Sequence, residues 1–439
     1  MVAGLLPGLG TLSDRIGHRP MFIAGLAVFG LASLVAAYAP SPSVLIGARV
    51  LLAVGAGLMM PATLSIVRLT FADAKERALA MGVWAAVASG GAALGPLIGG
   101  LLLEYFWWGS VFLINVPLVV LALVSTLVFI PHWPGNPKSV WDPLGSMLIL
   151  VGLVALAFAI KEPAMARPSL WAAAGAAVLG TASLGLFVRH QRRSPTPMIE
   201  FRLFRNRAFA WSVVIAMAAA FSDVGLELVL TQRLQLALDY SAVEAAVFLL
   251  PGSLLAFVGG PLAGWLAPRW GIERVMMVSM FLGGLGVAGL FPTANAGAVL
   301  QLACLGAFGL GMGGAMAMAS HVIMSGAPVE RAGMAASMEE VAFELGGAIG
   351  ITVLGSLLAG VYSAMLVLPK GEPLPSSVYE GIDQALGVAE GLGADAARVL
   401  TNAVHEAFDV AYLAALALNA LLLLAVAVAA WRTAKAPAS

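Results

Sequence analysis

The stretch SMEEVAFELGG, residues 337–347, sets Glu339, Glu340 and Glu344 inside an apolar run from 332 to 364. A helix there puts Glu340 and Glu344 on one face and turns Glu339 elsewhere. An ionised side chain at the centre of a bilayer costs at least about 2.5–3.5 kcal/mol, so such residues usually bind a cation or carry a proton. Glu344 lies about 20 Å from the inner end of that run and is the first choice for this work, with Glu340 second. The plainer reading is a cluster at the inner mouth in contact with water, and it is strongest for Glu339. Asp223 and Glu227 repeat the pattern at i,i+4 in the run 208–230, with Asp223 about 24 Å from its inner end and so in its outer half. Two carboxylates this close in a low dielectric resist ionising together, which suits a proton carrier or a site for organic cations. The alternative is a pair at the outer end, in water, and it is stronger for Glu227. Arg49 sits about 9 Å in from the outer end of its own run. It should need an acidic partner or a water-filled cavity, where it would hold a neighbouring carboxylate charged until substrate or conformational change separates them; the alternative is snorkelling to the interface.

Other chemistry is poorly provided for. The single cysteine, Cys304, permits no disulfide and no cysteine metal cluster, and the five histidines show no HxxxH or HExxH spacing. No metal or cofactor is expected. His321 has no evident catalytic partner in sequence, so an enzyme is not expected either.

The elements that must position these residues are apolar helices. The chain of 439 residues is 61% hydrophobic and only 10% charged, with mean hydropathy +0.96. A soluble core could not hide so much apolar surface, so the solvent is lipid. A formal net charge of zero argues against nucleic acid as a partner. Stretches long enough to cross a bilayer fall near 20–38, 43–67, 78–103, 109–130, 144–160, 170–188, 208–230, 245–266, 275–292, 297–322, 332–364 and 407–430. Residues 1–10 form only a stub of about 15 Å, too short to cross. No basic segment marks a cleavable signal at the start.

Basic residues set the orientation. With the opening loop inside, the arginines at 15, 19, 68, 189, 192, 193, 202, 205 and 207 all become cytoplasmic, and only Lys161, Arg167, Arg233, Lys370 and Arg398 fall outside. The basic, proline-interrupted segment 189–207 reads as a cytoplasmic linker. The domain organisation expected is a bundle over 1–130, an additional helix pair over 131–188, that linker, and a second bundle over 208–439 that includes the outside segment 365–406. That segment reads equally well as a helical hairpin or a solvated loop.

The opening loop, GTLSDRIGHRP, recurs as GWLAPRWGIER at an offset of 254, with Gly10, Leu12, Arg15 and Gly17 falling on Gly264, Leu266, Arg269 and Gly271. The same offset carries Gly55, Gly57 and Arg77 onto Gly309, Gly311 and Arg331. Parallel repeats of this kind are typical of secondary transporters. Asp14 is placed to cap the next helix or to pair with a base. Arg15 and Arg19 satisfy the positive-inside rule, and the glycine spacing fits a short turn locked against a neighbouring helix end.

Gly10-x-Leu12-x-Asp14-Arg15-x-Gly17-His18-Arg19 resembles the loop signature of the major facilitator superfamily, and Arg49 with Gly55-x-Gly57 resembles its fourth-helix motif. Gly91, Gly95, Pro96, Gly99 and Gly100 match a fifth-helix motif associated with antiporters. FLINVP at 112–117 and Asp142-Pro-Leu-Gly145 resemble the fourteen-helix drug:proton antiporter branch, the QacA and EmrB relatives. The departures are Leu52 and Ala53 where that branch has Gln-Gly, and Pro268 where the first loop copy has Asp14. The resemblance implies two pseudo-repeated helical bundles with an extra helix pair between them. It also implies that a first helix and part of a second should precede Gly10, so a truncated or late-called start is expected.

The glycines at 91, 95, 99 and 100 offer a small face for close helix approach, and Pro96 removes a backbone donor and can kink the helix. The function expected is proton-coupled efflux of lipophilic cations by a multi-pass monomer in the inner (plasma) membrane; the Ala- and Gly-rich composition points to a bacterial source. An exporter of one metabolite or antibiotic, or a non-transporting membrane protein on the same fold, are the alternatives.

Overall fold

Two glycines decide where the first turn falls. In the computed structural model, residues 10–16 are not a loop: helix α1 (Val2–Ile16) runs through them and stops at Gly17, whose φ of 108° is open to glycine but strained for other residues. The N–H of Gly17 donates to the Ser13 carbonyl at 2.8 Å. At the repeat-related turn, Gly271 has φ 86° and donates to the Ala267 carbonyl at 2.9 Å. The two turns are the same device at the offset of 254.

The structure describes residues 2–71, 73–136, 141–162, 169–194, 197, 201–293, 297–327, 332–367 and 374–434. After α1 come α2 (His18–Ala37), α3 (Pro42–Thr70), α4 (Ala74–Tyr105), the short α5 (Ser110–Leu113) and α6 (Asn115–Phe129). The additional pair is α7 (Pro143–Lys161) and α8 (Leu170–Arg193). Then follow α9 (Arg207–Gln232), α10 (Ala242–Trp270), α11 (Ile272–Thr293), α12 (Ala298–Gly326), α13 (Ala332–Met365), α14 (Ile382–Glu390) and α15 (Ala394–Ala434). Several starts are written in the sequence as caps. Ser41, Asp142, Ser169 and Asn206 each accept a backbone N–H from the first turn they precede, and Ser241 with Glu244 forms a reciprocal capping box.

Among the described residues, eleven helical segments are long and apolar enough to cross a membrane. The twelfth expected span, 78–103, falls in α4, a helix of 32 residues whose side chains are described only in part. The all-α architecture matches the expectation.

Packing in each half depends on glycine, as it must where lipid supplies no hydrophobic drive between helices. Gly55 of α3 lies on the backbone of Phe29 in α2, and Gly311 of α12 lies on Gly283 in α11. Phe29 and Gly283 are related by 254, but Gly55 and Gly311 are separated by 256. The single offset is therefore corrected: α11 and its exit are two residues longer than α2 and its exit, and α3 pairs with α12 in that shifted register. Gly309 packs on the Gly252 carbonyl of α10, a different contact from that of Gly55. Arg331 lies outside the described residues.

The halves meet through repeat-related pairs, α4 against α10 and α1 against α13. On the side expected to be inner, Arg68 at the end of α3 donates to the Ala327 carbonyl at the end of α12, 3.0 Å away. Helices α7 and α8 pack on each other, and α7 packs on α1, where Gly4 and Gly8 admit Leu150 and Ser146. Helix α8 continues to Arg193, five residues into the stretch expected to be linker.

The segment 365–406, expected outside, forms a hairpin over its described residues and not a solvated loop. A 3-10 turn at Ser376–Tyr379, α14 and the first turns of α15 fold onto the bundle. Val378, Ile382 and Ala385 are buried with Leu400, Val404 and Phe408, and the Tyr362 hydroxyl donates to the Val378 carbonyl at 3.0 Å.

Candidate functional site

The acidic residues divide between two helices that touch along their length. Gly346 of α13 lies on the Met217 carbonyl of α9, and Gly350 lies on the Phe221 carbonyl. The helices therefore run parallel and in step, and Asp223 stands about eight residues, or ~12 Å, outward of Glu344. The site has two levels.

At the outer level, Asp223 and Glu227 both present open carboxyl surface, one turn apart and electrostatically coupled. Asp223 follows Ser222, which is buried against Asn419 of α15. The expected place of Asp223 in the outer half is corrected. A π-helical turn, Arg233–Ala237, continues the span to Ala237, which puts Asp223 near the middle of the stretch Arg207–Ala237.

At the inner level, Glu344 is half-buried and Glu340 is 6% exposed, the two being coupled one turn apart. Helix α13 has 34 residues, about 51 Å, so Glu344 lies some 18 Å from its inner end and just inward of its midpoint. Glu339 differs most from expectation. It is 0% exposed, neither carboxyl oxygen has a hydrogen-bond partner of good geometry, and the polar group facing it is Ser320 of α12. It is not a water-facing residue of an inner mouth. The reason is packing: at this level α12 covers the face of α13 that Glu339 occupies.

Arg49 is exposed, about 10 Å along α3 from its outer end, and no ion pair reaches it among the described residues. The structure does not bring it to any of the acids on α9 or α13. In the first turn, Asp14 does not cap α2, whose N-cap is Gly17 without a side-chain bond. Asp14 instead lies 3.7 Å from His18, whose Nδ1 is 2.8 Å from the Ser13 hydroxyl. Arg19 donates to the Leu127 carbonyl of α6 at 3.0 Å, Arg15 is exposed, and Gly17 sits against the carbonyl of Trp133. Gly10 is buried within α1. The turn is locked to the segment after α6, as its glycines required.

The glycine face of α4 corrects another expectation. Among the described residues, a side chain added at Gly91, Gly95 or Gly99 would meet nothing within 4 Å, and of the four only Gly100 approaches a neighbour, Val243 at 3.7 Å. Of the four, Gly100 alone faces α10, and only in ordinary contact, so the motif does not form a tight crossing in this conformation. The side chain of Pro96 lies outside the described residues.

Two polar groups escaped sequence reasoning. Arg233, placed outside the membrane by its charge, is 6% exposed; it stacks 4.0 Å from the Tyr412 ring and lies 3.4 Å from Asp409. Asn419 of α15 donates to the Ser222 carbonyl, beside Asp223. The aromatic and acid three apart on α15 were the only signals for the first, and the second left none.

Comparison with known proteins agrees with this architecture. The family model described as Major Facilitator Superfamily matches residues 1–351. The methyl viologen resistance protein SmvA of Salmonella typhimurium is 37% identical over 434 residues, covering 98% of this chain and 88% of its own. The multidrug efflux pump LfrA of Mycolicibacterium smegmatis is 33% identical over 430 residues, covering 97% and 85%. Among solved structures, the human organic anion transporter MFSD10 (TETRAN) aligns with TM-score 0.56 at 14% identity, over 96% of this chain and 80% of its own, a likeness of fold alone. A bundle built twice around parallel repeats, with a family model that spans most of its length, makes this chain a member of the Major Facilitator Superfamily, a multi-pass membrane transporter and not an enzyme.

Proposed function

We propose that this chain is a proton-coupled efflux transporter of lipophilic organic cations, of the fourteen-helix branch, acting as a monomer in the inner membrane. The observation that carries this reading is the two-level array of carboxyls on α9 and α13. A carboxylate held inside a membrane protein needs a cation or a proton to neutralise it. Exchange of the two at one site is the antiport step, and alternating access lets each be taken and released on its own side. Methyl viologen, named for the relative SmvA, is a planar dication. Exchange of n protons for a substrate of charge z moves n − z charges inward, each worth about 2.3 kcal/mol per 100 mV. Acids at two levels let such a substrate be met by more than one carboxyl. The alternating-access pathway would carry Asp223 and Glu227 at the outer level and Glu340 and Glu344 at the inner, with Glu339 behind them.

The test uses everted membrane vesicles that hold a proton gradient reported by a quenched acridine dye. Ethidium added to wild-type vesicles restores part of the fluorescence, and Glu344→Gln at equal protein level does not. Ethidium transport that survives a protonophore would overturn proton coupling.

A further inference from the structure

The additional pair α7–α8 leaves an apolar groove on its exposed side. It encloses about 470 Å³ and is lined by Leu150, Val154 and Phe158 of α7 and by Ala176 and Leu179 of α8, among others. Leu150 lies about 10 Å from the inner end of α7 and Phe158 about 22 Å, so the groove begins in the inner leaflet and crosses the midplane of a core about 30 Å thick.

The groove is continuous with charge at its cytoplasmic end. Leu179, Leu186 and Arg193 follow at intervals of seven residues, two turns, and so share one face of α8; all three are exposed. On α7, Met147 and Leu144 extend the exposed line from Val154 toward the same end. Arg189 stands one turn from Arg193, and neither arginine joins an ion pair among the described residues. The nearest described carboxylate, Asp142, is already engaged by the Gly145 N–H at 2.8 Å, His190 at 2.9 Å and Gln191 at 2.7 Å. Trp141 is exposed at the inner end of α7, the level at which aromatic side chains mark headgroups.

We propose that α7–α8 carries a binding site for an anionic glycerophospholipid of the inner leaflet. Arg189 and Arg193 take the phosphodiester, which a guanidinium fork matches, and one acyl chain runs past Leu186 into the groove. The occupant follows from charge complementarity at the open end and from depth: a chain anchored at the inner surface spans the ~15 Å of its leaflet and reaches the groove lining. The site lies on the pair between the two bundles, away from the acids of α9 and α13, and does not depend on the transport mechanism.

The experiment is native mass spectrometry of the full purified chain with phosphatidylglycerol or phosphatidylcholine of the same acyl chains. Wild type retains phosphatidylglycerol in preference. The double variant R189Q/R193Q, two exposed changes that leave folding intact, weakens it about thirtyfold, since each surface cation contributes about fivefold. Ala176→Trp, which fills the groove and keeps both charges, weakens it as well. Arg205→Gln, which removes one charge from the linker, does not. The site is overturned if the two lipids bind equally, if Arg205→Gln acts like the double variant, or if Ala176→Trp leaves retention unchanged.

Discussion

Gly346→Ala probes the contact that sets the register of the two acidic levels. A methyl at this position would enter the van der Waals shell of the Met217 carbonyl oxygen, 2.9 Å from the carbonyl carbon and 3.1 Å from the Ala220 methyl. Carbon atoms rest at about 3.5–4.0 Å, so α9 and α13 must part by up to ~1 Å. The obstacle is backbone, which cannot turn aside as a side chain can. Overpacking of this kind costs about 1–3 kcal/mol. Alanine also favours the helix over glycine by ~1 kcal/mol, so the raw loss understates the clash. Gly360→Ala supplies the reference, because nothing lies within 4 Å of that position on the same helix. Thermal unfolding of the two purified variants should differ by the full clash, with Gly346→Ala the less stable and Gly360→Ala at or above wild type. Equal stabilities would refute the tight α9–α13 crossing, and with it the ~12 Å step between Glu344 and Asp223.

Three further outcomes follow from the same geometry. Gly17→Ala and Gly271→Ala both force a side chain to positive φ, at about 1–3 kcal/mol each. Gly17 is also hemmed by the Trp133 carbonyl at 3.0 Å while Gly271 has open space, so calorimetry should rank Gly17→Ala below Gly271→Ala and both below wild type. If the chain exports organic cations as proposed, Asp223→Asn should impair vesicle export of a dication more than that of a matched monocation; equal loss for both would make Asp223 a residue of every cycle. Arg233→Met should lower stability by about 1–2 kcal/mol through the lost stacking on Tyr412. Asp409→Asn should change stability by under ~1 kcal/mol, since Asp409 is 46% exposed and its pair is screened, and chemical denaturation measures both.

The helices were legible because they rest on composition and period. The span limits near 43, 170, 208 and 245 fall within four residues of caps that the sequence spells out as serine or asparagine. The repeated turn was legible because glycine is strongly favoured at a φ of 108°, at 17, and again of 86°, at 271. The slip from 254 to 256 was not, because a helix two residues longer leaves the motif glycines in place while it changes which neighbour each one meets. Depth along a helix was the weakest reading. Asp223 moved to the middle of its span because a π turn lengthened it, and that turn has no sequence signature. The burial of Glu339 and of Arg233 was not legible for a common reason: a charge in a polar-looking stretch gives no sign of the helix or ring that will cover it. The glycine face of α4 shows the converse, a motif whose residues were found and whose partner was not in contact.

The pairing of α4 with α10 and of α1 with α13 has a mechanical consequence. Each pair is the image of the other under the repeat, so the halves are joined by two like bearings, one on either flank. A line through both crosses the molecule from side to side, and a body carried on two bearings has one easy rotation, about that line. Such a tilt widens the gap between halves at one membrane face as it narrows the gap at the other. The Arg68–Ala327 bond lies off that line at the inner face, so it acts with leverage: a single hydrogen bond there resists the tilt more than the same bond placed at either bearing.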